Sequence, residues 1–235
     1  MSSAVVLVIV IVGTLLVFAA VGLLIFFVLR ANRAHRLPEA RQVRPAIEQF
    51  GWTFAEQDDA FIELYNRQFD RPELREPLWG TPRATAAHDV VSGVHRGRRF
   101  VAATFDVTHQ GGRRRERAVW VATPTRHPVL NISRLPQLQN SANQAIGRGG
   151  TTIGHPEFDG RFEVTGVDGG DFARAILQPD AVRFLLTDPR TPRVVFFRGE
   201  FLDAADPVND HRDPQELLPA LDFRCDLLDR MPNWR

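Results

Sequence analysis

Residues Ala4 to Leu29 form 26 consecutive positions without a charged side chain, and Arg30, Arg33 and Arg36 follow at once. A helix needs roughly 20 apolar residues to cross about 30 Å of hydrocarbon. At about 1.5 Å per residue this run reaches roughly 39 Å, enough to span with tilt. A cleaved signal peptide would need a basic n-region, a shorter apolar core and a small-x-small cleavage site. Met1-Ser2-Ser3 supplies no basic side chain, and the stretch after Leu29 offers no such site. The sequence therefore predicts a short tail over 1–3, one transmembrane helix over 4–29, a basic juxtamembrane linker over 30–45 and a folded domain over 46–235.

Arginine and lysine accumulate on the cytoplasmic side of membrane helices. Arg30, Arg33, Arg36, Arg41 and Arg44 all follow the apolar run, and only the α-amino group precedes it. The expected topology is single-pass in the plasma membrane, N-terminus outside and the domain in the cytoplasm. No ionisable residue lies inside the run, which argues against proton relay or transport by it.

About 190 residues after the linker suffice for one hydrophobic core. The single cysteine, Cys225, excludes an intrachain disulfide. All 29 basic residues are arginine; GC-rich codon usage explains that more simply than phosphate recognition does. Charge is uneven: residues 1–155 carry +7 and residues 156–235 carry −6. The basic half is the one joined to the membrane, where anionic headgroups attract positive charge.

Residues from Pro45 to Gly51 read as a brief helix ended by glycine, with Trp52 and Phe54 packing back on it. Phe61, Leu64, Tyr65 and Phe69 recur at helical spacing within 57–69. Prolines and a glycine make 71–83 a loop. Strands are expected at 89–95, 99–108, 116–123 and 129–132. Their connections are an Arg96-Gly97-Arg98 turn and a second turn over 109–115. A short helix over 135–146, a glycine-rich loop over 147–154 and a strand over 161–167 should follow. Helices are expected at 171–177 and 181–186, and a hairpin over 193–202 pivoting near Gly199. Asp213, Pro214 and Glu216 stand as N-cap, N1 proline and N3 acid of a last helix. Its apolar face carries Leu217, Leu218, Leu221, Cys225 and Leu228. The fold class is α+β: an N-terminal transmembrane helix followed by a curved antiparallel sheet packed with helices, these lying on one face.

Phe50-Gly51-Trp52, the hairpin from Gly93 to Phe100, the strand from Ala118 to Ala122, Phe158 to Phe162 and the segment from Phe172 to Leu186 occur in this order after the anchor. In this the chain resembles a set of uncharacterised, membrane-anchored proteins of high-GC actinobacteria. The resemblance covers nearly the whole chain and implies one domain facing the cytoplasm or the envelope. It brings no activity and no catalytic residues.

No catalytic motif emerges. The histidines show neither His-x-x-x-His nor His-Glu-x-x-His spacing, and no cofactor motif is present. His95 and His109 could meet across a hairpin with Asp106. The loop over 147–154 lacks the Gly-Lys-Ser/Thr ending of a phosphate loop. Ser92 lacks a Gly-x-Ser-x-Gly setting, and Cys225 belongs to an apolar face.

What remains is arginine. Arg30, Arg33 and Arg36 border the anchor; Arg96, Arg98 and Arg99 crowd one hairpin turn; Arg113, Arg114, Arg115 and Arg117 crowd the next. These ten are the candidate contacts for an anionic surface. Successive turns of a meander point to opposite ends, so the two hairpin groups should not combine. The leading expectation is a cytoplasmic-facing binding or adaptor module with an unknown protein partner, its membrane lipid contact running through 4–29. Alternatives are a hydrolase-like membrane enzyme whose site is assembled from distant residues, and an anionic-lipid surface module. Nucleic acid is not expected as a partner.

Overall fold

The computed structural model describes residues 21, 43–70, 81–109, 111–134, 150–166, 170–205 and 208–232. Two compact units, Met1–Pro45 and Ala46–Arg235, divide the chain. The anchor read at 4–29 lies, Val21 apart, outside the described residues, as do Arg30, Arg33 and Arg36. Among the described residues no helix is long and apolar enough to cross a membrane.

The second unit is α+β, built on six antiparallel strands. β1 (Thr53–Gln57) is followed by α1 (Ala60–Phe69), then by β2 (Arg83–His95), β3 (Arg98–His109) and β4 (Gly112–Arg134). Next come α2 (Pro156–Arg161), β5 (Phe162–Gly166), α3 (Asp171–Ile176), α4 (Pro179–Thr187), β6 (Val194–Ala204) and α5 (Pro214–Leu228). Strands β1 to β4 pair in sequence order, and β4 then pairs with both β5 and β6.

The β2–β3 turn is the most local feature. Arg96 and Gly97 both have positive φ, +50° and +78°. That is the backbone of a two-residue I′ turn, whose twist matches its strands. Register then fixes the faces. Val101, Ala103, Phe105 and Val107 of β3 share a face with Ala118 and Trp120 of β4, and Tyr65 of α1 packs there. Tyr65 stacks on Phe69 at 4.6 Å and meets Phe105 at 4.8 Å between ring centroids.

The opposite face carries Phe100, Ala102, Val119 and Val121. Gly93 pairs with Phe100 and so shares this face. A Cβ on Gly93 would lie 2.7 Å from the Trp52 ring. The missing side chain is the space Trp52 fills, edge-on to Phe100 at 4.9 Å, its Nε1 donating to the Val94 carbonyl at 3.2 Å. His95 is on this face too and bonds Asp222 of α5. Helices thus cover both sides of the sheet, α1 on one and α5 on the other, and the one-sided expectation is corrected. The reason is visible in β3, where Phe100 to Ala103 are buried at four consecutive positions. A strand buried on both faces loses the alternation that marks a solvated side.

Three boundaries also differ from expectation. β2 begins at Arg83, not near 89, with irregular pairing around Thr85 and between His88 and Val91. β4 is one strand of 23 residues through Pro124 and Pro128, where two shorter ones were expected. Its pairing with β6 skips between Ala122 and His127 and again between His127 and Leu130, so the prolines sit where the ladder is already broken. β6 is also one strand, not a hairpin. Gly199 has φ +63°, and a Cβ there would lie 2.2 Å from Gln68 Oε1, so this glycine serves a kink beneath α1 and no chain reversal.

α5 starts as its sequence indicates. Asp213 accepts from the Gln215 amide at 2.9 Å, and Pro214 takes N1. Glu216 turns away from a capping box and accepts from the amides of Asn209 and Asp210, at 2.6 and 3.1 Å. Leu217, Leu221, Cys225 and Leu228 are buried.

Candidate functional site

The two arginine-bearing ends of the β2–β3–β4 meander meet different fates. At the first, α5 presents Asp222, Asp226 and Asp229, spaced four and three residues apart on one side of the helix. Arg96 donates to Asp226 at 2.8 Å and to Asp229 at 2.7 Å. Arg98 donates to Asp229 at 2.9 Å, and His95 Nε2 lies 2.7 Å from Asp222. Arg190, from the loop after α4, joins Asp226 at 2.8 Å and Asp188 at 2.7 Å. The hydrogen bond from Arg96 to Asp226 drives the Arg96 guanidinium above its usual range. Burial pushes the Asp226 carboxyl up, and the bonds from Arg96 and Arg190 outweigh it, holding the acid below its usual value. Hydrogen bonding from Arg190 lowers Asp188 likewise. Arg99 points to the other face, away from this network, and is exposed.

At the second end the expected turn is shorter than its arginines. Gly111 carries the positive φ, +74°, and Arg113 to Arg117 already belong to β4. Pairing of Arg113 with Thr108, Arg115 with Asp106 and Arg117 with Thr104 puts these three on one face. All three are exposed. Alternate strand positions are about 7 Å apart, so the guanidinium groups form a spaced row. Arg115 donates its Nε to Asp106 at 3.0 Å and keeps 59% side-chain exposure. Arg117 donates to the Val208 carbonyl. Arg113 makes no hydrogen bond or ion pair among the described residues.

Arg114 faces the α1 side, where it bonds Glu116 at 2.5 Å. Glu116 in turn accepts from the Tyr65 hydroxyl at 2.6 Å. Burial and that acidic neighbour push the Tyr65 hydroxyl far above its usual range. Arg114 thus braces α1, and the exposed row excludes it. Arg83 pairs with Thr108, but its guanidinium, 52% exposed, reaches to 3.4 Å from Asp70 at the C-terminal end of α1, so it too turns to the α1 side and stays out of the row. Sequence reading missed its strand position because 83 fell within an expected loop. The signal available was the alternation from Ala84 onward.

Groups considered for chemistry do not converge among the described residues. His95 pairs with Arg98 and His109 with Gly112, so they stand at opposite ends of β3 and do not meet around Asp106. Asp106 instead takes His88 Nε2 at 3.1 Å. Burial raises the Asp106 carboxyl, and the bonds from Arg115 and His88 bring it below its usual value. Among the described residues no cluster of histidine, cysteine and acids could hold a metal. At the described end of the glycine-rich loop, Ile153 and Gly154 donate their amides to the two oxygens of Asp159 in α2, both at 3.0 Å. Ser92 Oγ lies 2.8 Å from Thr53 Oγ1. Cys225 is buried, and burial pushes its thiol up to about 11. A cleft of about 750 Å³ lies between Pro192, Val208, Pro219 and Phe223, with no histidine or cysteine in its lining.

No family model matches the chain, and no curated protein matches it. Among solved structures it is similar to the mycobacterial trehalose monomycolate transport factor A, TtfA. Identity is 18%, the match covers 82% of this chain and 96% of that one, and the TM-score is 0.45. A likeness at this level carries no argument for shared fold or activity.

Proposed function

We propose that this chain is a single-pass, membrane-tethered binding module whose α+β domain contacts an anionic partner on the cytoplasmic side. The observation that carries the reading is the row of Arg113, Arg115 and Arg117, exposed on one face of β4 while Arg96 and Arg98 at the other end of the meander are neutralised by α5. Three cations held about 7 Å apart on a rigid strand attract an anionic surface at little ordering cost. The tether is supported by the uncharged run 4–29, and the orientation by Arg30, Arg33 and Arg36 on its C-terminal flank.

A photo-crosslinking side chain at Thr108, the cross-strand neighbour of Arg113, tests this in the full-length protein in its own membranes. Adducts to protein or lipid should form. They should fall at least tenfold in an Arg113→Gln, Arg115→Gln, Arg117→Gln variant and persist in Arg99→Gln. Adduct formation indifferent to the triple substitution would defeat the proposal.

A further inference from the structure

We infer that the anionic partner is the phosphate-bearing surface of the bilayer that tethers the chain; this rests on the binding-module reading above. Three features select a lipid surface over other polyanions. The first is shape. Arg113, Arg115 and Arg117 are successive same-face positions of a pleated strand, with Thr108 extending the face onto β3. A surface of this kind meets many equivalent headgroups. A protein partner's binding energy concentrates in well-packed central pockets, whereas a spaced row of exposed cations suits a diffuse anionic surface.

The second feature is the missing stacking platform. The nearby aromatic side chains, Phe105 and Trp120, are buried on the α1 side, at 0% and 3% exposure. Single-stranded nucleic acid is gripped by aromatic faces beside a basic groove, and among the described residues the arginine row has none.

The third is hydrogen-bond capacity combined with reach. Arg115 commits its Nε to Asp106 and Arg117 one terminal nitrogen to Val208. Each guanidinium has five N–H donors, so every member of the row keeps donors for phosphate oxygens. The linker 30–45 extends at most roughly 55 Å. A tether of that length holds the domain at an effective concentration of order millimolar from the bilayer. Weak contacts then suffice: near an anionic leaflet one arginine is worth roughly a factor of five, and three about a hundredfold.

The test uses the full-length chain reconstituted into phosphatidylcholine vesicles with or without about a third phosphatidylglycerol. A Thr108→Cys substitution carries an environment-sensitive fluorophore, since Cys225 is buried and does not compete. The bilayer carries a lipid-borne quencher. The expected result is strong quenching in the anionic vesicles, weak quenching in the neutral ones, and reversal by high salt. The triple arginine-to-glutamine variant should shift the docked-to-undocked ratio about a hundredfold, and Arg113→Gln alone about fivefold. Arg113→Gln removes no described contact, so its effect is read without a folding penalty; thermal melts accompany both variants. Equal quenching in neutral and anionic vesicles, or quenching that ignores both substitutions, overturns the inference. Absent quenching with arginine-dependent protein adducts at Thr108 leaves the binding module standing and removes the lipid. Absence of both removes both. A chain that fails to float with either vesicle removes the tether and the inference with it.

Discussion

Two hairpin ends of one meander carry nearly the same residues and use them differently. Arg96 and Arg98 sit beside a helix bearing Asp222, Asp226 and Asp229, and become part of the packing. Arg113, Arg115 and Arg117 meet one carboxylate, Asp106, and one backbone carbonyl, and stay in solvent. The number of arginines does not distinguish the two ends. What distinguishes them is which partner the topology delivers: α5 follows β2 by more than a hundred residues and returns to cover the first end. A basic turn in a sequence is therefore a candidate contact only until the acids of the rest of the chain are placed.

The largest expected effect breaks the packing behind the first end. Trp52→Ala removes the indole that fills the space over Gly93 and should cost about 3–5 kcal/mol, read as a lowered midpoint in urea. Gly93→Ala should cost about 1–3 kcal/mol from the opposite direction, by overpacking the same indole. Asp226→Asn comes next. It weakens the bonds from both Arg96 and Arg190 in a network that is partly exposed, so screening limits the loss to about 1 kcal/mol. Arg113→Gln should be the smallest, within about 0.5 kcal/mol, because it contacts nothing described. A stability loss for Arg113→Gln as large as for Asp226→Asn would erase the contrast between the ends.

Acid titration sharpens the same comparison. Asp226 and Asp188 at the first end, and Asp106 at the second, have folded-state pKa values lowered relative to ordinary carboxylates. A group lowered on folding adds stability that is fully present above its unfolded value, near 4, and is lost as pH falls through the folded value. Melting midpoints should therefore hold through neutral pH and drop below about pH 4. Asp226→Asn should flatten that drop, whereas Arg113→Gln should leave it unchanged.

Much of this was legible locally. Arg96-Gly97 reads as a turn because two positive-φ positions need little else. Asp213-Pro214 reads as a helix start because the cap is formed within two residues. The faces of β3 follow from alternation. What was not legible depended on distant pairing. Arg113 to Arg115 look like turn residues because arginine is a poor guide to strand in an exposed setting, and only pairing with Val107, Asp106 and Thr108 makes them β. Gly199 looks like a hairpin pivot, yet it answers to Gln68 in a helix 131 positions earlier. The candidate row was half visible: its arginines were named from the sequence, but separating Arg114 from its neighbours needed the register.

Arginine-specific modification with phenylglyoxal, read residue by residue by mass spectrometry, tests the contrast most directly in the full-length protein. Arg96 and Arg98 should react slowly both in detergent and in anionic membranes, because α5 holds them in either state. Arg113, Arg115 and Arg117 should react quickly in detergent and become protected in anionic membranes. Fast modification of Arg96 and Arg98, or no membrane protection of the β4 row, would contradict the division of the meander into a structural end and a contact end.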